Sequence, residues 1–169
     1  MDAVRTPLQE LVDVLHQEIA QLQQLARVAA DERTALRQLA MPSFESVNQQ
    51  RIQTLELLQV LESRREAILT DLAHQWGMPD RAVTLAAVIE RVGRDVSATL
   101  VGQQREMDRL VDAVRQLMAV NRLAMTKLVD FIQQTMASAR PAPGQETLYS
   151  GTGTKKSVRS SGRVLAQRG

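Results

Sequence analysis

The chain has 169 residues, enough for one domain with a modest core, and aromatics make up only 2% of it. Cys is absent, which excludes a disulfide framework, a thiol nucleophile and a thiolate metal site, while 8 Gly and 5 Pro against abundant Leu, Ala, Val, Gln, Glu and Arg favour helix over sheet. The net charge of +2 is unevenly divided: six Lys/Arg stand against one Glu from Arg140 onward, leaving 15 basic against 18 acidic residues before it.

The segment Met1 to Pro7 lacks an apolar signal-peptide core, and nowhere does an apolar run reach the ~18 residues of a membrane span. The expectation is a chain that is neither secreted by a signal peptide nor integral to a membrane. The cytoplasm is its simplest address.

The first helix should start at Thr6-Pro7, a capping residue followed by proline at the first helical position. Leu8, Leu11, Leu15, Leu22, Leu25, Ala29, Leu36 and Leu39 then recur in a 3,4 spacing, and Val12, Ile19 and Ala26 widen the stripe. A stripe that wide expects burial against more than one neighbour. Met41-Pro42-Ser43 predicts a tight turn, with Ser43 or Ser46 capping the second helix.

That second helix should carry Val47, Ile52, Leu55, Leu58, Leu61, Ile68, Leu69 and Leu72 to Trp76, where Gly77-Met78-Pro79-Asp80 supplies a stop. Residues 82–92 read as a short helix, and Gly93 and Gly102 weaken the stretch after it. A heptad seam then runs through Met107, Leu110, Val114, Leu117, Asn121, Ala124, Leu128 and Phe131. From Ser138 the residues turn to Pro, Gly, Ser, Thr and Lys, too polar to offset ordering entropy.

The expected fold is all-α: an antiparallel helical hairpin over residues 6–76, with a long further helix over about 95–138 packed along it as an elongated bundle. Residues 1–140 form the helical domain and 141–169 a flexible, basic, disordered tail.

No constellation supports catalysis or a cofactor. His16 and His74 would lie several residues apart in height on a hairpin turning at Pro42, without a third metal ligand, so solvated helix histidines are expected. Gly151-Thr152-Gly153-Thr154-Lys155-Lys156-Ser157 lacks the spacing and flanking elements of a phosphate loop. Glu62, Glu66 and Asp71 interleave with Arg64 and Arg65 as a solvated helix face. Lys155, Lys156, Arg159, Arg163 and Arg168 could anchor the tail to an anionic surface, but only Tyr149 is aromatic there, against specific nucleic-acid recognition.

Asn121 is polar within an apolar seam, where a buried amide either fixes register or grips a partner's backbone. Leu110, Val114, Leu117, Leu128 and Phe131 are expected to be partly exposed there, making this seam, Asn121 included, the candidate face for a binding partner. A self-associating structural or adaptor coiled coil is the competing reading, because the same leucine spacing supports it.

Taken in order, a Leu-rich first helix holding Glu18, a second ending in QVLESRREAILTDLAHQWG, a short TLAAVIERV, a long helix with VNRLAMTKLVDFIQ and a tail with TLYSGTG resemble the FlgN-type chaperones of flagellar type III export. The resemblance spans residues 6–153 and rests on the leucines, Glu62, Arg65, Leu69, Asn121 and Tyr149 with its following glycine. It implies a cytoplasmic, ATP-independent chaperone for hook–filament junction proteins (hook-associated proteins). Such a chaperone holds their C-terminal helical segments against premature assembly and delivers them to the export apparatus. It further implies that the tail tyrosine, here Tyr149, docks on the export gate and its associated components.

Overall fold

The computed structural model describes residues 6–79 and 83–139. Among them stand four helices and no strand: α1 (Pro7–Gln38), α2 (Met41–Gln75), α3 (Leu85–Arg91) and α4 (Arg94–Ser138). The described residues fall into two compact units divided after Thr126. The tail expected from residue 141 lies outside the described residues.

Thr6 caps α1 as its sequence predicts, its hydroxyl accepting from the Gln9 amide at 3.3 Å. The turn that closes α1 differs from the expectation. Leu39 takes a left-handed conformation (φ 52), its amide donates to the Leu36 carbonyl, and the Ala40 amide donates to Ala35 at 3.1 Å. This is a Schellman ending, with leucine where glycine is usual. The chain therefore reverses before Pro42, and α2 begins at Met41 with no side-chain cap. Ser43 and Ser46 lie inside α2 and cap nothing. Pro42 is tolerated because the first turn leaves its amides unbonded in any case.

The stop after α2 repeats the motif with the expected residue. Gly77 supplies the left-handed step (φ 61), donating to His74, while the Met78 amide donates to Ala73 at 2.9 Å. Thr84 caps α3 through its hydroxyl, which accepts from Ala87 at 3.2 Å. Gly93 precedes α4, whose 45 residues run through Gly102 without a break.

In the first unit the apolar core gathers at the open end of the hairpin. Leu11, Val14 and Leu15 of α1 meet Ile68, Leu69, Leu72 and Ala73 of α2, closed over by Val83, Val88 and Leu100. Each large side chain buried here stabilises the fold by about 1.5–3 kcal/mol. Towards the turn α2 buries little beyond Thr54, and Ile52 and Leu55, expected in the stripe, are exposed. Leu58 and Leu61 of the expected stripe do turn inward, joined there by Arg51 and Thr54 in the places expected for Ile52 and Leu55. In the second unit α4 continues from Lys127 to Ser138, with only Leu128 partly covered.

Candidate functional site

The apolar stripe of α1 leaves gaps at positions 18 and 32, and both are filled by buried glutamates, Glu18 (3% exposed) and Glu32 (1%). A carboxylate so placed requires charge pairing and hydrogen bonds, or burial would neutralise it. The partners come from α2. Arg65 Nε donates to Glu18 Oε1 at 3.0 Å, and Arg51 Nη1 donates to Glu32 Oε1 at 3.0 Å.

Both pairs are centred midway between Met41 and Pro42, as an antiparallel hairpin requires, and they repeat two heptads apart on each helix. They set the register of α1 on α2, since a slip by one turn would leave two carboxylates buried and unpaired. Arg65 also reaches Glu62 at 3.8 Å. Burial holds the Glu18 carboxyl above its ordinary range, opposed by the hydrogen bond and charge of Arg65 and reinforced slightly by Glu62.

α4 joins through two amides. Gln103 Nε2 donates to the Val12 carbonyl at 2.9 Å, and Asn121 Nδ2 donates to the Ala29 carbonyl at 2.8 Å and to Glu32 Oε2 at 2.9 Å. Gln103 and Asn121 lie five full helical turns apart and therefore on one face. Their acceptors ascend α1 in the same order, so α4 runs parallel to α1 through the first unit. Asn121, Glu32 and Arg51 thus form one polar layer across three helices, with Arg51 Nη2 also donating to Asn48. Glu18 Oε2, Gln103 Oε1 and Asn121 Oδ1 remain buried without a donor among the described residues.

The seam residues expected to be exposed divide. Leu110 (5% exposed) and Val114 are buried, contrary to expectation, on the stretch of α4 between Gln103 and Asn121 that is hydrogen-bonded at both ends to α1. Leu117 and Leu128 are half-buried, and Phe131 is exposed. Asn121, 2% exposed, has both amide hydrogens committed within the first unit, so here it reads the backbone of α1 and not that of a partner. Tyr149 lies outside the described residues. His16 and His74 are exposed.

Three of the concavities among the described residues lie in the first unit. One of about 500 Å³ follows α4 between Arg115 and Thr126, lined by Met118, Ala119, Arg122 and Leu123. A second, of about 160 Å³, lies over the polar layer between Met118 and Met125. The third, about 440 Å³, sits at the hairpin's open end beside Trp76, whose ring Arg91 overlies at 5.9 Å. In the second unit Val129, Phe131 (64% exposed), Ile132 and Met136 (68%) stand out from the last turns of α4. No helix is long and apolar enough to cross a membrane among the described residues.

Sequence reasoning missed Glu32, Arg51 and Gln103 as interior residues, although the signal is present. Inserting Glu18 and Glu32 makes the α1 stripe an unbroken 3,4 series from Leu8 to Leu39, and Arg51 and Arg65 hold the matching places on α2.

No curated protein and no solved structure gives a significant match. The model of the FlgN protein family matches residues 1–157. With that match extending over most of its length, the chain belongs to the FlgN family of flagellar export chaperones.

Proposed function

We propose that this chain is a cytoplasmic chaperone that holds the C-terminal helical segments of hook–filament junction proteins and delivers them to the flagellar export gate. The observation that carries the reading is the apolar surface of α4 left uncovered in the second unit. Val129, Ile132 and Met136 expose large apolar surface along one side of the helix there, and Phe131 does so on the side that continues the seam, whose earlier part is packed and hydrogen-bonded in the first unit. A single helix with such a face is the surface that an amphipathic helix of a client completes, hiding its own aggregation-prone side. Within the first unit Leu117 extends the client-facing set, and in the second Leu128 and Phe131 do. Tyr149, the one tyrosine, is the proposed docking residue for the export gate, as a ring offers much contact area with few rotors to fix.

The test is co-purification of the C-terminal segments of hook-associated proteins with the full chain and with Phe131→Asp/Ile132→Asp, followed by light scattering of the free chain and the complex. Capture by the wild type and loss in the variant support the reading. A dimer that ignores these segments would instead establish the self-associating coiled coil.

A further inference from the structure

The 500 Å³ depression on α4 has a charge pattern that the apolar face of the second unit does not share. Arg115 and Arg122 stand seven residues apart, so their side chains leave the same face of the helix about 10 Å apart along its axis. Between them the small Ala119 makes the floor, with Met118 on one side and Leu123 on the other. Both arginines are exposed. Arg115 meets Asp112 only at 3.7 Å, between side chains 76% and 71% exposed, and the Arg122 guanidinium makes no ion pair among the described residues. Two cations bracketing an apolar hollow are therefore available to an outside partner.

From this arrangement we infer that the depression binds a helix carrying an Asp or Glu, an aliphatic residue three or four positions later, and a second Asp or Glu seven positions after the first. The aliphatic side chain enters over Ala119, and the two carboxylates meet Arg115 and Arg122. A partner helix repeats its own face every seven residues with the same rise, so both ion pairs close in one register. A basic or neutral helix with the same apolar stripe fills the hollow but leaves the arginines unmet. The inference rests on the client reading above and adds to it the charge pattern by which a client segment is chosen and aligned.

The test uses fluorescence anisotropy with two labelled helical peptides sharing one leucine stripe, one with Glu and the other with Lys at the two bracketing positions. The full chain is titrated into each at low and at high salt. Two rim pairs of this kind predict about a tenfold preference for the Glu peptide at low ionic strength, shrinking as salt rises. Arg115→Glu/Arg122→Glu should invert the preference and Arg115→Gln/Arg122→Gln abolish it. Circular dichroism melts should be unchanged, since both side chains lie outside the packed seam. Equal affinity of the wild type for both peptides, an unaltered preference in the charge-reversed variant, or binding of single-stranded DNA with the same arginine dependence would each overturn the inference. Capture of hook-associated protein segments equally by wild type and charge-reversed variant overturns the groove's role while leaving the client reading intact. Capture by neither overturns both.

Discussion

Replacing Asn121 by alanine tests whether the three-helix polar layer holds α4 in place. The side chain donates to Glu32 Oε2 at 2.9 Å and to the Ala29 carbonyl at 2.8 Å, in a position only 2% exposed. Loss of a hydrogen bond to a buried carboxylate costs about 1.5–3 kcal/mol. The Ala29 carbonyl lies mid-helix in α1 and keeps its own helical donor, so its loss adds only about 0.5 kcal/mol. Removing the unpartnered Oδ1 returns about 1 kcal/mol. Asn121→Ala should therefore destabilise the fold by about 2 kcal/mol, a fall of roughly 6–10 °C in Tm for a helical region of this size.

Urea unfolding monitored by far-ultraviolet circular dichroism measures this, and a cycle with Arg51→Ala isolates the coupling. Both side chains serve the two oxygens of one carboxylate, so the double variant should lose about 0.5–1.5 kcal/mol more than the sum of the single ones. Converting the whole layer with Glu32→Leu/Arg51→Leu/Asn121→Leu should be neutral or stabilising, as no charge is left buried alone. A cost for Asn121→Ala below about 0.5 kcal/mol, or strict additivity with Arg51→Ala, would show that the layer does not bind α4.

Three further outcomes are expected. Because burial raises the folded pKa of Glu18 above its ordinary value, this group's contribution to stability increases as pH falls through the raised value and is complete below the unfolded value of about 4.5; it is lost as pH rises. Glu18→Gln should flatten that part of the stability profile, seen as a pH-dependent difference from the wild type in urea titrations. Leu110→Ala should cost about 2–5 kcal/mol because the side chain is buried, whereas Phe131→Ser should leave the melting curve almost unchanged and still weaken client capture; equal effects of the two on stability would contradict their assigned positions. Tyr149→Ala should reduce export of junction proteins in a motility or secretion assay with stability and client affinity preserved. Normal export in that variant alongside failure on neutralising Lys155, Lys156 and Arg159 would transfer the docking role to the basic charge.

How far the fold is legible from sequence depends on the kind of information each residue carries. The helices, the Thr6 cap and the Gly77 stop are local matters: hydrophobic spacing, a capping hydroxyl and a residue free to take positive φ specify them within a few positions. The hairpin follows from two long amphipathic stretches joined by a short connection. The turn itself does not, because Leu39 adopts a backbone conformation that its residue type rarely favours, while the proline that marks a turn by type stands inside α2. The α4 seam is legible as a seam, and Asn121 as its polar exception.

The partition of that seam into covered and uncovered parts is not legible, since Leu110 and Phe131 have the same heptad character, yet the one is buried in the first unit and the other exposed in the second. The polar layers belong to the same class. Glu18 and Glu32 look like surface charges when polar residues are set aside from the pattern, and only the arrival of Arg65 and Arg51 from the opposite helix makes their burial possible. Periodicity thus determined the helices and the residues available to pack. Which of those positions are interior, and which remain open to a partner, depended on pairings between residues as far as 92 positions apart, a distance no local pattern encodes.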